Sequence, residues 1–385
     1  MEQIDVENFK KINAIIERDS KDATYKFALL RGAIEISQEY SHLKLESGNR
    51  ILFPLGLLVE KWILYYYPLI ESQKFIPQKN GEREFSSYHI SFRDSFKRLT
   101  NYYDNHGGFS AFFNDYWNKI IPSDISPVFR DLITDLKRTI TTMPMKHLGR
   151  SVYRQDYSIF KDEKDAGRFR SNSPMNREIL LETLGHFSLP KDLYAVFLYL
   201  GSFISGEDSL LYQWAEFTRA ASKGALNTEF VIEKLRTFPQ TERDVQDART
   251  LYDKIFRENG SIECVWSGKP IKSNQSLHID HVIPFAIWKN NDLWNLLPAS
   301  QVINAKKRDK IPTPTFIEQR REAISHYWDL LEREYPQRFR REMTISLLGT
   351  SNKSPDWHEI GIQRLTEKCE YLIDIRGFEG WYDSY

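Results

Sequence analysis

The sequence has only two cysteines, Cys264 and Cys369, among its 385 residues. Two thiols cannot build the disulfide framework of a small secreted protein, and they cannot supply the ligands of a four-cysteine zinc site. A low cysteine content fits a reducing compartment. We therefore expect a cytoplasmic protein that has no structural zinc.

Long apolar stretches are missing as well. The run from 51 to 67 is interrupted by Glu60 and Lys61, and the run from 193 to 204 is only twelve residues long. A membrane-spanning helix needs about 20 predominantly apolar residues. The first 19 residues contain no apolar core of the signal-peptide type. We therefore expect no membrane partner.

The chain has no excess of either charge, since 53 Lys and Arg residues balance 53 Asp and Glu residues. This balance excludes a global basic field that would steer the whole chain onto nucleic acid. The charge is unevenly distributed, however. Residues 262–341 contain 13 basic and 9 acidic side chains, whereas residues 342–385 contain 4 basic and 8 acidic ones. The segment 262–341 is therefore the locally basic part of the C-terminal third.

Helical patterns dominate most of the chain. Phe27, Leu30 and Ile34, for example, fall on one face of a helix predicted over 22–40. We predict a mainly α fold with a small α+β domain inserted near the C-terminus. Three domains are predicted. The first is a helical N-terminal domain over 1–245, which would serve regulation or nucleic-acid binding. A small catalytic domain over 246–315 follows, and a helical cap over 316–385 comes last.

One basic stretch in the N-terminal region allows two interpretations. The stretch 142–176 contains two interleaved tyrosines, Tyr153 and Tyr157. Its cations are Lys146, His147, Arg150, Arg154, Arg168 and Arg170. Basic residues interleaved with aromatics are typical of nucleic-acid surfaces, and a solvated loop would have the same composition.

The most informative stretch is 262–312, in which polar residues stand at fixed intervals. Asp280 and His281 follow an apolar run, Asn295 comes 14 residues after His281, and Asn304 comes nine residues after Asn295. Pro284 predicts the end of a strand, and a short helix is predicted over 299–310. The pattern predicts a strand, a second strand and a helix, with Asp280 and His281 at a strand end and Asn304 on the helix.

This residue set suits metal-assisted phosphodiester hydrolysis. Mg²⁺ takes oxygen ligands and keeps several waters, and Asp280 and Asn304 each offer a side-chain oxygen. A neutral imidazole such as that of His281 can take a proton from water at physiological pH. We expect Mg²⁺, or Mn²⁺ in its place, as the cofactor.

The stretch resembles the HNH (ββα-metal) endonuclease family, and its 14- and 9-residue spacings are similar to those in the HNH domains of RNA-guided CRISPR effector nucleases. The segment 264–271, Cys-Val-Trp-Ser-Gly-Lys-Pro-Ile, is similar to the first strand and turn of those domains. The resemblance implies that Asp280 and Asn304 are metal ligands and that His281 is the general base. It also implies that Asn295 steadies the loop and the base. Many relatives carry two CxxC pairs for zinc, which this chain lacks.

Neighbouring residues extend the predicted site. His278 lies two residues before Asp280 on the same strand face, and it is either an additional ligand or phosphate contact or a capping surface residue. A basic rim that contacts phosphates is predicted at Lys306, Lys307, Arg308 and Lys310. The alternative for these four cations is an ordinary solvated helix face.

The resemblance implies a metal-dependent endonuclease that acts on DNA by nicking or double-strand cutting. A stand-alone protein of this type suggests anti-phage defence or restriction, with other defence proteins as partners. Two alternatives stay open, a toxin-like RNase that uses the same site on RNA and a non-catalytic nucleic-acid-binding protein with a relict site. An ordinary strand-loop-helix with a surface histidine and two turn asparagines would be the structural alternative.

Overall fold

A computed structural model describes residues 6–118, 120–153, 159–165, 167, 175–204, 210–239, 241, 243–349 and 354–382. The chain forms two compact units, Met1–Gln240 and Thr241–Tyr385. The mainly α fold with a small α+β part near the C-terminus is confirmed. Among the described residues, no helix is both long enough and apolar enough to cross a bilayer.

The first unit is built mostly of helices. They are α1 (Val6–Arg18), α2 (Tyr25–Glu39), α3 (Leu55–Glu71), α4 (Arg93–Asp104), α5 (Gly108–Asn118), α6 (Ser126–Thr142), α7 (Pro144–His147), α8 (Arg150–Tyr153), α9 (Arg177–Thr183), α10 (Lys191–Ile204), α11 (Tyr212–Ala221) and α12 (Thr228–Arg236). The described strands are β1 (Leu45–Ser47), β2 (Arg50–Pro54), β3 (Lys161–Asp162) and β4 (His186–Pro190).

Helix α3 is the centre of the first unit, because almost all of its side chains are buried. A helix that is apolar on every side is stable only when other elements surround it. Here α2, α4, α6, α9 and α12 pack against it. Gly56 allows a close approach of α9, since a Cβ atom at this position would collide with the backbone oxygen of Leu180.

A four-stranded antiparallel sheet, in the order β1-β2-β4-β3, packs beside these helices. The central pair places Phe53 opposite Phe187. These two rings stack with centroids 6.0 Å apart. The apolar run from 51 to 67 is divided between two elements, because Ile51 lies in β2 and α3 starts at Leu55.

The predicted basic stretch 142–176 is described only in part. Lys146 and His147 are exposed on α7 and Arg150 is half-buried on α8, whereas Arg154, Tyr157, Arg168 and Arg170 lie outside the described residues.

The second unit contains the described strands β5 (Ile262–Glu263), β6 (Pro270–Ile271), β7 (Leu277–His281), β8 (Leu296–Ser300), β9 (Ile311–Pro312) and β10 (Gly380–Trp381). Its described helices are α13 (Gln246–Asn259), α14 (Phe285–Trp288), α15 (Gln301–Lys307), α16 (Pro314–Gln319), α17 (Arg321–Glu334), α18 (Pro336–Met343) and α19 (Trp357–Glu370). Helix α13 ends at Gly260, whose φ of 72° is the left-handed conformation that glycine adopts without strain.

One apolar core joins the strands to the helices that follow them. Trp294 and Leu297 from the strand region share it with Trp328 of α17 and Leu365 of α19. The indole of Trp328 also donates a hydrogen bond of 2.8 Å to the backbone oxygen of Trp294. Residues 316–385, which the sequence analysis treated as a separate cap, therefore belong to the same compact unit as residues 246–315.

Candidate active site

Strands β7 and β8 and helix α15 form a ββα arrangement that positions the residues of the motif. Leu277 pairs with Ser300 and His281 pairs with Leu296 in an antiparallel register. The Ser300 side chain then caps α15 by accepting a hydrogen bond of 3.3 Å from the backbone N–H of Ile303. The helix therefore begins directly at the end of β8 and packs against β7.

Asp280 lies in β7 with only 3% of its surface exposed. Its Oδ2 accepts a hydrogen bond of 2.6 Å from the Trp266 indole, and the Lys307 ammonium lies 3.2 Å from Oδ1 and 3.1 Å from Oδ2. Burial raises the pKa of the Asp280 carboxyl, while Lys307 and Trp266 oppose that rise by stabilising the charged form. These two partners lower the energetic cost of a charged carboxylate in a buried position.

Lys307 does not lie on an exposed rim, where the sequence analysis placed it. Its surface is fully buried, and its ammonium donates to the His281 backbone oxygen at 2.6 Å besides contacting Asp280. The reason is helical geometry: Lys307 lies three residues after Asn304 and four after Ile303, on the face of α15 that packs against β7.

His281 ends strand β7 and is also almost completely buried, with 3% exposure. Its Nε2 lies 3.4 Å from Asn291 Oδ1, and its ring centroid lies 5.4 Å from that of Phe285. Burial lowers the pKa of the imidazole to about 3, and the positive charges of Arg243 and Lys307 add to this shift. His281 is therefore a neutral imidazole at physiological pH.

Asn295 holds the loop that follows β7. Its Oδ1 accepts a hydrogen bond of 2.8 Å from the Ile283 N–H, and its Nδ2 donates one of 3.0 Å to the Ile283 oxygen. Its backbone oxygen accepts from the Val282 N–H at 2.9 Å. Asn295 thus fixes the two residues that follow His281 and touches the histidine only through the chain.

Asn304 and His278 face each other across the interface between β7 and α15. The Asn304 Nδ2 lies 3.4 Å from the His278 Nδ1, and both side chains are partly exposed. One helical turn further along, Lys307 faces Asp280. The structure therefore brings Asp280, Asn304 and His278 to one interface, while His281 points to the other face of the strand.

Two family models match the chain. The model of an HNH endonuclease matches residues 264–313, which contain both strands and helix α15. The model named domain of unknown function DUF8808 matches residues 5–235, more than half of the chain. The chain belongs to the DUF8808 family. No curated protein and no solved structure matches it.

The two matches divide this DUF8808 chain in the same way as its compact units. The DUF8808 match lies within Met1–Gln240, and the HNH match lies within Thr241–Tyr385. The HNH match supports a nuclease domain and hence a nucleic-acid substrate. HNH nucleases typically use divalent metal ions, and the match does not identify the metal.

The residues of the DUF8808 chain fit a single hard metal ion better than a multi-ligand centre. No group of three or more His, Cys, Asp or Glu side chains that could hold a metal occurs among the described residues. Mg²⁺ requires only one or two protein oxygens because it keeps several waters. A carboxylate has about four acceptor positions, and Asp280 accepts one hydrogen bond from Trp266 and one from Lys307, so acceptor positions remain. The donor set of Asp280 and Asn304 therefore fits such an ion.

The other three predicted rim cations lie towards solvent. Lys306 and Arg308 are exposed, and Lys310 is half-buried in an ion pair with Glu379. They border an open concavity of about 600 Å³ together with the exposed Val302.

Several residues of the site were not found from the sequence. Trp266 was not assigned a role in the site, although its indole N–H donates a hydrogen bond to Asp280. Arg243 donates to the Ile279 oxygen at 2.9 Å, and Arg249 donates to the Leu277 oxygen at 2.7 Å, so both hold the outer edge of β7. The signal for Trp266 was its place in the motif segment 264–271; no local pattern indicated Arg243 or Arg249.

Proposed function

We propose that the DUF8808 chain is a Mg²⁺- or Mn²⁺-dependent endonuclease that hydrolyses phosphodiester bonds of DNA at the ββα site. The observation that carries the proposal is the HNH match over residues 264–313, within which Asp280 and His281 are consecutive residues of β7 and Asn304 lies on the helix that packs against this strand. Each of the three has the chemistry that this reaction needs, and each stands at the spacing of the HNH motif.

In the proposed reaction, a water oxygen attacks the phosphorus while the His281 imidazole takes the proton of that water. A new P–O bond forms, and the bond between phosphorus and the 3′ oxygen breaks. The leaving 3′ oxygen takes a proton from solvent, so the products carry a 5′-phosphate and a 3′-hydroxyl. Because His281 is neutral at physiological pH, its ring can accept this proton.

Asp280 and Asn304 would hold the metal ion, which stabilises negative charge on the phosphate and the leaving oxygen. Lys307 stabilises the charged form of Asp280 and anchors the backbone at His281, so one buried cation contacts both residues. Lys306, Arg308 and Lys310 would contact backbone phosphates, which makes binding weaken as salt rises. His278 is assigned to a phosphate or an additional metal contact through its place beside Asn304.

A single site of this type cuts one strand, so the proposed primary product is a nick. The similarity to the HNH domains of RNA-guided effector nucleases rests on the 14- and 9-residue spacings. The proposed role in anti-phage defence or restriction rests on analogy with stand-alone HNH proteins that carry helical extensions. A comparison of phage plaque formation on cells that express wild type or His281→Ala tests that role.

The decisive experiment is cleavage of supercoiled plasmid by the full chain in Mg²⁺ or Mn²⁺, beside His281→Ala and a chelator control. We expect open-circle product from wild type, and a rate lower by about 10²- to 10⁴-fold for His281→Ala, with DNA binding retained. Asp280→Ala and Asn304→Ala should abolish cleavage at all metal concentrations.

Equal rates for wild type and His281→Ala would disprove the assignment of the base. Cleavage of a matched RNA alone would replace DNA by RNA as the substrate. Binding of nucleic acid without any metal-dependent cleavage would indicate a relict site.

A further inference from the structure

A side chain in the loop between α14 and β8 contacts the proposed base. No sequence motif marks this side chain. Residues 289–292 connect Trp288 to the turn before β8, and the half-buried Asn291 is the residue of this loop that reaches His281. Its Oδ1 lies 3.4 Å from the His281 Nε2. Asn291 is thus the described side chain that makes a polar contact with the imidazole.

The orientation of the Asn291 amide follows from a second donor. The backbone N–H of Asp244 donates to the same Oδ1 at 3.0 Å. A backbone N–H can only donate, so the atom that it meets must be the amide oxygen and not the amide nitrogen. An amide oxygen can only accept, and therefore the His281 Nε2 must carry the hydrogen when the two interact.

This arrangement selects one of the two neutral forms of the imidazole. With the hydrogen on Nε2, the lone pair is on Nδ1, which is the nitrogen that can take a proton from water. Fixing the tautomer and the ring orientation of a histidine through its other nitrogen is a general way to prepare a base or a ligand.

The loop itself is held rigidly from several sides. Thr241 donates to the Lys289 oxygen at 3.0 Å, and Arg338 of α18 donates to the Asn291 oxygen at 3.0 Å. The next residue, Asp292, is buried and accepts hydrogen bonds from the Trp294 indole and the Asn290 amide. A loop with this many anchors can keep a single side chain in one place.

We infer that Asn291 is a positioning residue that holds His281 in its Nε2–H tautomer and thereby leaves Nδ1 as the proton acceptor. The kinetic consequence of this inference rests on the proposed nuclease function. The assignment of the tautomer rests on hydrogen-bond geometry alone. The two parts can therefore be tested separately.

The tautomer is tested without substrate by ¹⁵N NMR of the histidine rings of the full chain at neutral pH. The His281 signal is assigned as the one missing from His281→Ala, among the nine histidines. We expect a pure Nε2–H pattern in wild type and in Asn291→Asp, which keeps an acceptor oxygen. Asn291→Leu, of similar size and without an acceptor, should show a mixture of the two tautomers. A wild-type Nδ1–H pattern overturns the inference.

The kinetic consequence is tested on plasmid cleavage with the same variants and with Asn274→Ala, an exposed asparagine in the same unit, as the control. We expect Asn291→Leu to lower kcat by about 10- to 100-fold with unchanged KM, and Asn291→Asp to recover most of that loss. Adding Asn291→Leu to His281→Ala should cost nothing further, since the residue acts through the histidine.

Other results would contradict the inference in distinguishable ways. An unchanged kcat for Asn291→Leu excludes the positioning role, and a raised KM alone indicates a substrate contact instead. Equal losses for the Leu and Asp variants, with equally lowered melting temperatures, indicate a purely structural role. If wild type cuts neither DNA nor RNA, the proposed function fails, and the NMR result still decides the tautomer.

Discussion

Two almost completely buried ion pairs, one taken from each unit of the chain, differ in what surrounds them. In the first unit, Arg177 of α9 donates to Glu60 of α3 at 2.6 Å. In the second unit, Lys307 of α15 lies 3.1 Å from Asp280 of β7. The first pair is enclosed by aromatic side chains, whereas the second lies beside the partly exposed Asn304 and His278.

The surroundings of the first pair leave little room for chemistry. The Tyr116 hydroxyl donates to Glu60 at 2.7 Å, the Tyr40 hydroxyl accepts from Arg177 at 2.8 Å, and the guanidinium lies 3.6 Å from the Trp117 ring centroid. Every charge is satisfied by protein groups. Burial of an ion pair is therefore not itself a sign of function. The two ion pairs differ because the pair of Lys307 and Asp280 adjoins polar side chains that solvent can reach.

The largest expected effect comes from removing the cation of either pair. Arg177→Met and Lys307→Met each leave a carboxylate buried without its partner, which costs about 3–5 kcal/mol in the stability of the unit concerned. Calorimetry of the full chain, with one transition followed for each unit, measures both losses. The double changes Glu60→Gln with Arg177→Met and Asp280→Asn with Lys307→Met should regain part of the stability.

Activity separates the two pairs more sharply than stability does. We expect the Glu60→Gln, Arg177→Met double variant to cut plasmid at the wild-type rate below its melting temperature. The Asp280→Asn, Lys307→Met variant should be inactive even when folded. Wild-type cleavage by the second variant would place the reaction elsewhere in the chain.

A third buried carboxyl gives a smaller effect that depends on pH. Burial, reinforced by the nearby Asp292, raises the pKa of Glu342 to about 7. Between the ordinary pKa of 4.5 and about 7, the folded unit binds a proton that the unfolded chain has released. The contribution of Glu342 to the free energy of unfolding is therefore greatest below pH 4.5, and it falls as the pH rises to about 7.

The stability lost over that range is on the order of 3 kcal/mol. Unfolding of the second unit by urea at pH 5 and pH 7.5 measures it, and Glu342→Gln should remove the difference. A Gln variant with the pH dependence of wild type would exclude Glu342 as its source.

The smallest effect compares Lys307 with its exposed neighbour Arg308. Arg308→Ala removes one proposed phosphate contact, so the slope of log affinity against log salt should become shallower by about 1. Stability should change by less than about 0.5 kcal/mol, as for most surface substitutions. Filter binding or fluorescence anisotropy over a salt series measures the slope. A slope equal to that of wild type would remove Arg308 from the nucleic-acid surface.

The sequence predicted the local parts of the site because their signals are local. Strand β7 ends at His281, three residues before Pro284, and the spacing from Asp280 to Asn304 spans two strands and a helix turn. The sheet of the first unit was missed because β2 and β4 pair across more than 130 residues, and no local pattern reports such a partner. Strand β2 and helix α3 share the apolar run from 51 to 67, and the composition of that run does not separate them.

The inward side of α15 was misjudged from composition. Three cations in the run from 306 to 308 suggested a solvated or phosphate-facing surface, yet the helical period turns the middle one, Lys307, towards β7. Asn291 could not be found because its role depends on Asp244 and His281 meeting it in space. The proposed roles of Asp280, His281, Asn295 and Asn304 themselves stay predictions until the variants are measured.

The short strand β10 has a practical consequence for anyone who wishes to transplant the nuclease motif. It pairs with β9 and brings Trp381 against Trp266, the residue whose indole holds Asp280. An excised peptide restricted to 264–313 would lose that contact, together with the hydrogen bond from Trp328 to the Trp294 oxygen. The residues of the HNH match therefore depend on contacts from the rest of their compact unit, and a fragment intended to keep those contacts should span Thr241–Tyr385.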